Sequence, residues 1–272
     1  MRVVETGGVP VDGDSTHPLA RYISTREYEL PPASRISILV NVPTGQELTL
    51  HTDKHCEGYE GARQLSYDLV HIYGVSRSGE PKETVLSRAM TASSGQTAAQ
   101  RLLTYARAHT SLIHRRALTY TQYIFPAHKH GDVDFAFFIT DTTNANFIER
   151  SYDPHYVAGT AYPTNPNIVV KQGTVEEWYL INATPDRHSF HIHQMSYVLE
   201  NGPAGFPVSL DVTDVPSGTI LPIQGSADHI RVHPTITKVL LDFRNVPKGT
   251  FLFHCHMLFH EDHGMMGIIR VE

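Results

Sequence analysis

The sequence predicts an all-β chain folded as a sandwich or barrel, and three observations carry that expectation. Short β-branched and aromatic runs recur between Gly, Pro and Asp residues, the punctuation of strands joined by turns. A single stretch, Thr97 to His109, repeats apolar residues at helical spacing. The composition, 40% apolar and 18% charged over 272 residues, is that of an ordinary globular protein with material for a core.

Taken in order, the candidate strands run from Ile36 to Val42, Glu47 to His51, Leu69 to Tyr73, Phe135 to Ile139, Ile168 to Lys171, Val175 to Ile181, Lys238 to Phe243 and Thr250 to His256. Between the third and fourth lies the helical stretch, where Ala99, Leu102, Leu103 and Ala106 share one face and act as a connector. It divides the chain into two units, residues 1–110 and 111–272. The second holds enough strands for two sheets that cover each other. The first holds too few, so it is expected to be a partial domain.

The formal net charge of −6 argues against nucleic acid or an anionic membrane as partner. No apolar run approaches the roughly 20 residues that span a bilayer, and the N-terminal residues lack the basic-then-apolar layout of a signal peptide. Two cysteines, Cys56 and Cys255, do not make a disulfide scaffold. The unusual feature is histidine: there are 18, and seven fall in two short C-terminal segments.

The first segment reads His188-Ser189-Phe190-His191-Ile192-His193, and the second runs from Phe251 through His254-Cys255-His256 and His260 to Met265. Side chains alternate along a strand, so His254 and His256 point one way and Cys255 the other, while His191 and His193 share a face. Two such strands present four imidazoles to one space and a thiolate to the opposite side. On that side His188, His260 and Met265 complete two imidazoles, a thiolate and a thioether, the ligand set of a blue copper centre with a weak axial Met. Zinc fits less well, because structural zinc sites favour several thiolates and a thioether is a poor zinc ligand.

These motifs, HSFHIH and HCHMLFHEDHGM, resemble the C-terminal signature of multicopper oxidases, the group containing laccases, bilirubin oxidases and bacterial copper-efflux oxidases. The text around Thr174 to Trp178, Asp214-Val215-Pro216 and Gly249-Thr250-Phe251 is similar too. The resemblance implies a cupredoxin-like Greek-key β-sandwich, complete in residues 111–272 and partial in the middle-domain-like residues 1–110. It also implies that His188, Cys255, His260 and Met265 hold type 1 copper, that His191 holds type 2 copper, and that His193, His254 and His256 hold the type 3 pair. Glu261 and Asp262 match a position that handles protons or orients imidazoles.

In the family two further HxH motifs from an N-terminal domain complete the trinuclear cluster. Here another HxH occurs only at His128-Lys129-His130, in the wrong domain, so the cluster is expected to be half complete in this chain. The missing domain or subunit would be a partner, alongside dioxygen and a small-molecule or metal-ion electron donor. The implied activity is one-electron oxidation of that donor, passed along Cys255 and its flanking histidines and coupled to reduction of dioxygen to water. The implied compartment is the periplasm or the cell exterior. A non-catalytic blue-copper electron-transfer or copper-binding module stands as the alternative. His51, His55, Cys56, His229, His233 and His263 are expected in loops or on solvent faces, and Met257, Met266 and Trp178 in the core.

Overall fold

A computed structural model describes residues 1–7, 9–11, 23–56, 63–76, 96–126, 133–143, 167–202, 207–222 and 230–272. The side chain of Cys56, the His128-Lys129-His130 motif and His229 lie outside the described residues. Within them the chain forms β1 (Arg2–Thr6), β2 (Ile36–Leu39), β3 (Glu47–Thr52), β4 (Tyr67–Tyr73) and helix α1 (Ala98–Ala108). There follow β5 (Ile113–Pro126), β6 (Val133–Asp141), β7 (Ile168–Val170), β8 (Val175–Asn182), β9 (His188–Ile192), β10 (Tyr197–Leu199), β11 (Val208–Leu210) and β12 (Val212–Val215). The chain ends with β13 (Thr235–Asp242), β14 (Gly249–His254), the short helix α2 (Leu258–Asp262) and β15 (Met266–Val271). A few shorter strand pieces complete the set.

Strands β5 to β15 build a two-layer β-sandwich. One sheet has the order β6-β5-β8-β13-β10-β11 and the other β7-β15-β14-β9-β12. Strand β8 explains how the first sheet sits. Its even positions, Glu176, Trp178, Leu180 and Asn182, all point into the core, as period-2 alternation requires. Trp178 is fully buried, with its ring 6.1–6.4 Å from those of Phe190, Phe243 and Phe253, so it ties the two sheets together. Contacts of that kind add about 0.5–1.5 kcal/mol each beyond area burial. Glu176 is the polar exception on that face. It is satisfied by Arg116 Nε at 3.1 Å and by the indole N–H of Trp178 at 2.7 Å, which is what a buried carboxylate needs.

The helix covers the outer side of the six-stranded sheet. Ala99, Leu102 and Leu103 pack on Ile113, Val175, Val198 and Leu240. Thr97 starts it with a capping box: its hydroxyl accepts from Gln100 N at 3.0 Å, and Gln100 Oε1 accepts from Thr97 N at 3.1 Å. No helix among the described residues is long and apolar enough to cross a membrane.

The described residues among 1–39 pack against the second unit. Strand β1 pairs with β2, and Val3 and Val11 are buried in the same core cluster as Trp178 and Phe190. Thr6 donates to Ser209 O at 3.1 Å, and Arg35 pairs with Asp211 at 2.6 Å. By contrast, the β3–β4 hairpin leaves Tyr67, Leu69, Val70 and Tyr73 exposed.

Candidate metal centre

The adjacent strands β9 and β14 bring the two histidine segments together. They run antiparallel with His191 opposite His254, and β14 ends at His254, one residue short of Cys255. Beyond it, Cys255 N donates to Met265 O at 3.0 Å, which keeps the extended alternation going through His256. Cys255 thus turns inward between the sheets while His254 and His256 turn outward. The segment after Met257 is a helical turn, α2, rather than a plain loop, closed by a Glu261 N–H···O=C Met257 bond of 2.9 Å. Gly264, at φ +106°, reverses the chain after it so that Met265 returns to the core.

The first cluster is His188, Cys255 and His260, whose ligand-type atoms all lie within 4.8 Å of one another. All three are buried, with the Cys255 thiol free of any disulfide. Met265, fully buried, belongs to the same core. The Nδ1 atoms of His188 and His260 face each other at 2.9 Å, and His260 Nδ1 lies 3.8 Å from Cys255 Sγ. Aromatic rings wall the cluster: Tyr120 stacks on His188 with centroids 5.3 Å apart and Phe137 on His260 at 4.2 Å.

Burial sets the charge state here. It drives the His188 imidazole well below its ordinary range, with His260 adding to the effect, and it takes His260 down to about 4. Both rings are therefore neutral at pH 7, as metal ligation requires. Burial also raises the Cys255 thiol, opposed by hydrogen bonds from Ser189 and Met257. The far nitrogen of His188 is fixed by Thr184, whose hydroxyl lies 2.7 Å from Nε2. That hydroxyl also contacts Asn182 Oδ1 at 2.8 Å, an acceptor, so its proton goes there and its lone pair takes the N–H of His188. The outcome is an Nδ1 lone pair aimed at Cys255 and His260.

The second cluster is His191, His254 and His256, again with ligand-type atoms within 4.8 Å. His193 joins through His254, the two Nε2 atoms being 3.0 Å apart. His191 donates from Nδ1 to Asp211 O at 2.8 Å, and His254 Nδ1 faces Cys255 O at 3.0 Å and Glu261 Oε2 at 3.3 Å. Both rings thereby keep Nε2 for the shared space. Burial, followed by the neighbouring imidazoles His254, His191 and His193, takes His256 down to about 4.

Glu261 thus stands beside the second cluster, whereas Asp262 is exposed and belongs to neither group. His263 donates from Nδ1 to Phe259 O at 2.6 Å, a turn contact. His51 pairs across the hairpin with Asp68 at 2.7 Å, and His55 and His233 are exposed. Sequence reasoning missed three supporting residues: Thr184, Ser189 and Asp211. Only Thr184, two residues after Asn182, carried a signal, the turn chemistry of adjacent Asn and Thr side chains.

The donor set fits copper. Two neutral imidazoles, one buried thiol and a buried Met suit a soft ion in a dry, aromatic-walled space. A family model described as multicopper oxidase matches residues 122–272. A multicopper oxidase of Staphylococcus haemolyticus is 32% identical over 114 residues, spanning 40% of this chain and 22% of its own length. A laccase of Haloferax volcanii is 32% identical over 127 residues, spanning 46% of this chain and 19% of its own length. The structure of a multicopper oxidase variant from Aquifex aeolicus superposes with a TM-score of 0.60 at 17% identity, covering 100% of this chain and 50% of that one. That likeness shows the shared fold, and the chain spans about a fifth of each of those two relatives in sequence.

Proposed function

The chain belongs to the multicopper oxidase family, and from that premise we propose that it oxidises an electron donor one electron at a time, coupled to reduction of dioxygen to water. The observation that carries this reading is the two clusters back to back across Cys255, one with a thiol and one with imidazoles alone. Bound copper supplies the one-electron redox chemistry at both.

The residues divide the work. His188, Cys255 and His260, together with the buried Met265, would hold the mononuclear type 1 copper. Burial keeps both imidazoles neutral, and Cys255 gives up its thiol proton to become a ligand. Cys255 shares peptide bonds with His254 and His256, the shortest covalent connection between the two clusters. His191 takes the type 2 role and His193, His254 and His256 the type 3 role. Glu261, 3.3 Å from His254 Nδ1, is placed to hold or pass a proton there. The donor, a small molecule or metal ion, approaches over helix α2, where Leu258 and Phe259 are exposed beside the buried His260.

Four imidazoles make only part of a trinuclear cluster, so we propose that the remaining ligands come from another segment or chain. By its kinship the protein would work in the periplasm or outside the cell. The test is to load the purified 272-residue chain with copper, add a phenolic donor and follow colour and oxygen together. Donor-dependent bleaching of a thiolate-copper band, with little sustained oxygen uptake, supports the reading. Sustained turnover by this chain alone would overturn the division of ligands, and absence of the band would overturn the type 1 assignment.

A further inference from the structure

Ser189 stands between the two clusters without belonging to either ligand set. It is fully buried on β9. One edge of the backbone there pairs with β12, Ser189 opposite Asp214; on the other edge pairing with β14 begins only at His191. The Ser189 N–H is thus left facing Cys255, and it donates to Sγ at 3.4 Å. The thiol takes the ladder position of a missing backbone carbonyl, and a buried N–H does not go unpaired.

The hydroxyl makes a second contact. His256 N donates to Ser189 Oγ at 2.8 Å, and the same oxygen lies 3.6 Å from Cys255 Sγ. Because the lone pair of Oγ receives the His256 amide, its own proton is free to point at sulfur. Once Cys255 has lost its proton the sulfur can only accept, so the donor must be the hydroxyl.

We propose that Ser189 is a positioning residue that sets the reduction potential of the type 1 centre through two hydrogen bonds to the Cys255 sulfur, and that its hydroxyl ties this sulfur to the backbone of His256. The inference rests on the type 1 reading above. A hydrogen bond to the thiolate withdraws electron density from the metal–sulfur bond, which disfavours the oxidised ion and raises the potential. Removing the hydroxyl lowers it.

The test is Ser189→Ala in the copper-loaded chain, titrated against ferricyanide and ferrocyanide. The equilibrium constant for reduction is expected to fall about tenfold, ~59 mV for one electron. The thiolate-to-copper absorption is expected to move to longer wavelength, and Ser189→Thr, which keeps the hydroxyl, to restore both. In the metal-free chain the His256 amide is expected to exchange with deuterium about tenfold faster in Ser189→Ala, as loss of one hydrogen bond implies. An unchanged potential and band in a coloured Ser189→Ala protein overturns the proposal, as does unchanged His256 exchange. A wild-type chain that never colours overturns the type 1 reading instead, while the exchange measurement still reads the hydroxyl contact.

Discussion

Replacing Thr184 with Val keeps the shape of the side chain and deletes the group that fixes the His188 ring. Thr184 is 2% exposed, so no bulk water replaces the lost oxygen. The deletion removes the 2.7 Å bond to His188 Nε2 and the 2.8 Å bond to Asn182 Oδ1. A buried donor left unpaired costs about 1–3 kcal/mol. The ring escapes part of that cost by moving its proton to Nδ1, where it points at His260 Nδ1, 2.9 Å away. That tautomer closes the position a metal ion must occupy. Either way the ligating tautomer of the ring becomes more costly, and loss of such supporting contacts typically weakens metal affinity by about 10–100-fold. The assay is competition for Cu(I) against a chelator of known affinity, with Thr184→Ser as the variant that keeps the hydroxyl. Thr184→Val binding copper within about twofold of the unsubstituted chain would mean that Thr184 does not fix the His188 ring, because a buried donor left unpaired costs too much to go unseen.

Three further outcomes follow from the same geometry. Copper uptake by the metal-free chain at pH 7 should release about one proton per ion, from Cys255, since burial raises its thiol while the His188 and His260 rings are already neutral; calorimetry in buffers of different ionisation enthalpy reads this, and no net release would contradict it. Acidification should destabilise the metal-free chain: His256 and His260 sit at about 4 in the fold against ~6.5 unfolded, so their contribution is full above ~6.5 and is lost as pH falls through ~4. Asp214, raised by burial to about 7, acts with the opposite sign between ~4 and ~7, but several imidazoles outweigh one carboxyl. The melting temperature should therefore drop from pH 7 to pH 5, and a rise would count against the burial of these rings. Finally, a Cβ on Gly7 would meet Asp211 Oδ1 at 1.9 Å, with Gly7 at φ +56°, so Gly7→Ala should cost about 1–3 kcal/mol and lower the melting temperature by several degrees. Arg35→Gln, which removes the exposed partner of Asp211, should cost less than about 1 kcal/mol; equal effects would mean that the close approach at Gly7 is relieved elsewhere.

Much of the sandwich was readable in advance because its strands are short β-branched and aromatic runs set between Gly, Pro and Asp. The run from Val175 to Ile181 is such a case and forms most of β8, whose even positions are buried. The helix after Thr97 was equally plain from the spacing of its apolar residues, though its capping box was not read. Two other parts were not legible. The approach of Gly7 and Arg35 to Asp211 spans some two hundred residues of sequence, and no local pattern encodes such a contact. Within the candidate site, the grouping of His188, Cys255 and His260 follows from spacing and strand geometry. Their support does not. Thr184 and Ser189 act through single hydroxyls, and Asp211 holds His191 through a backbone carbonyl that any residue type would supply.

On the proposed reading, Cys255 with His188, His260 and Met265 holds one copper ion in this chain without help from the second cluster. Visible absorption during a copper titration decides the matter. An intense thiolate-to-copper band saturating at about one ion per chain, absent in Cys255→Ser and retained when His191, His254 and His256 are together replaced by Ala, is the expected result. A chain that takes up copper without the band, or keeps the band in Cys255→Ser, would contradict the account.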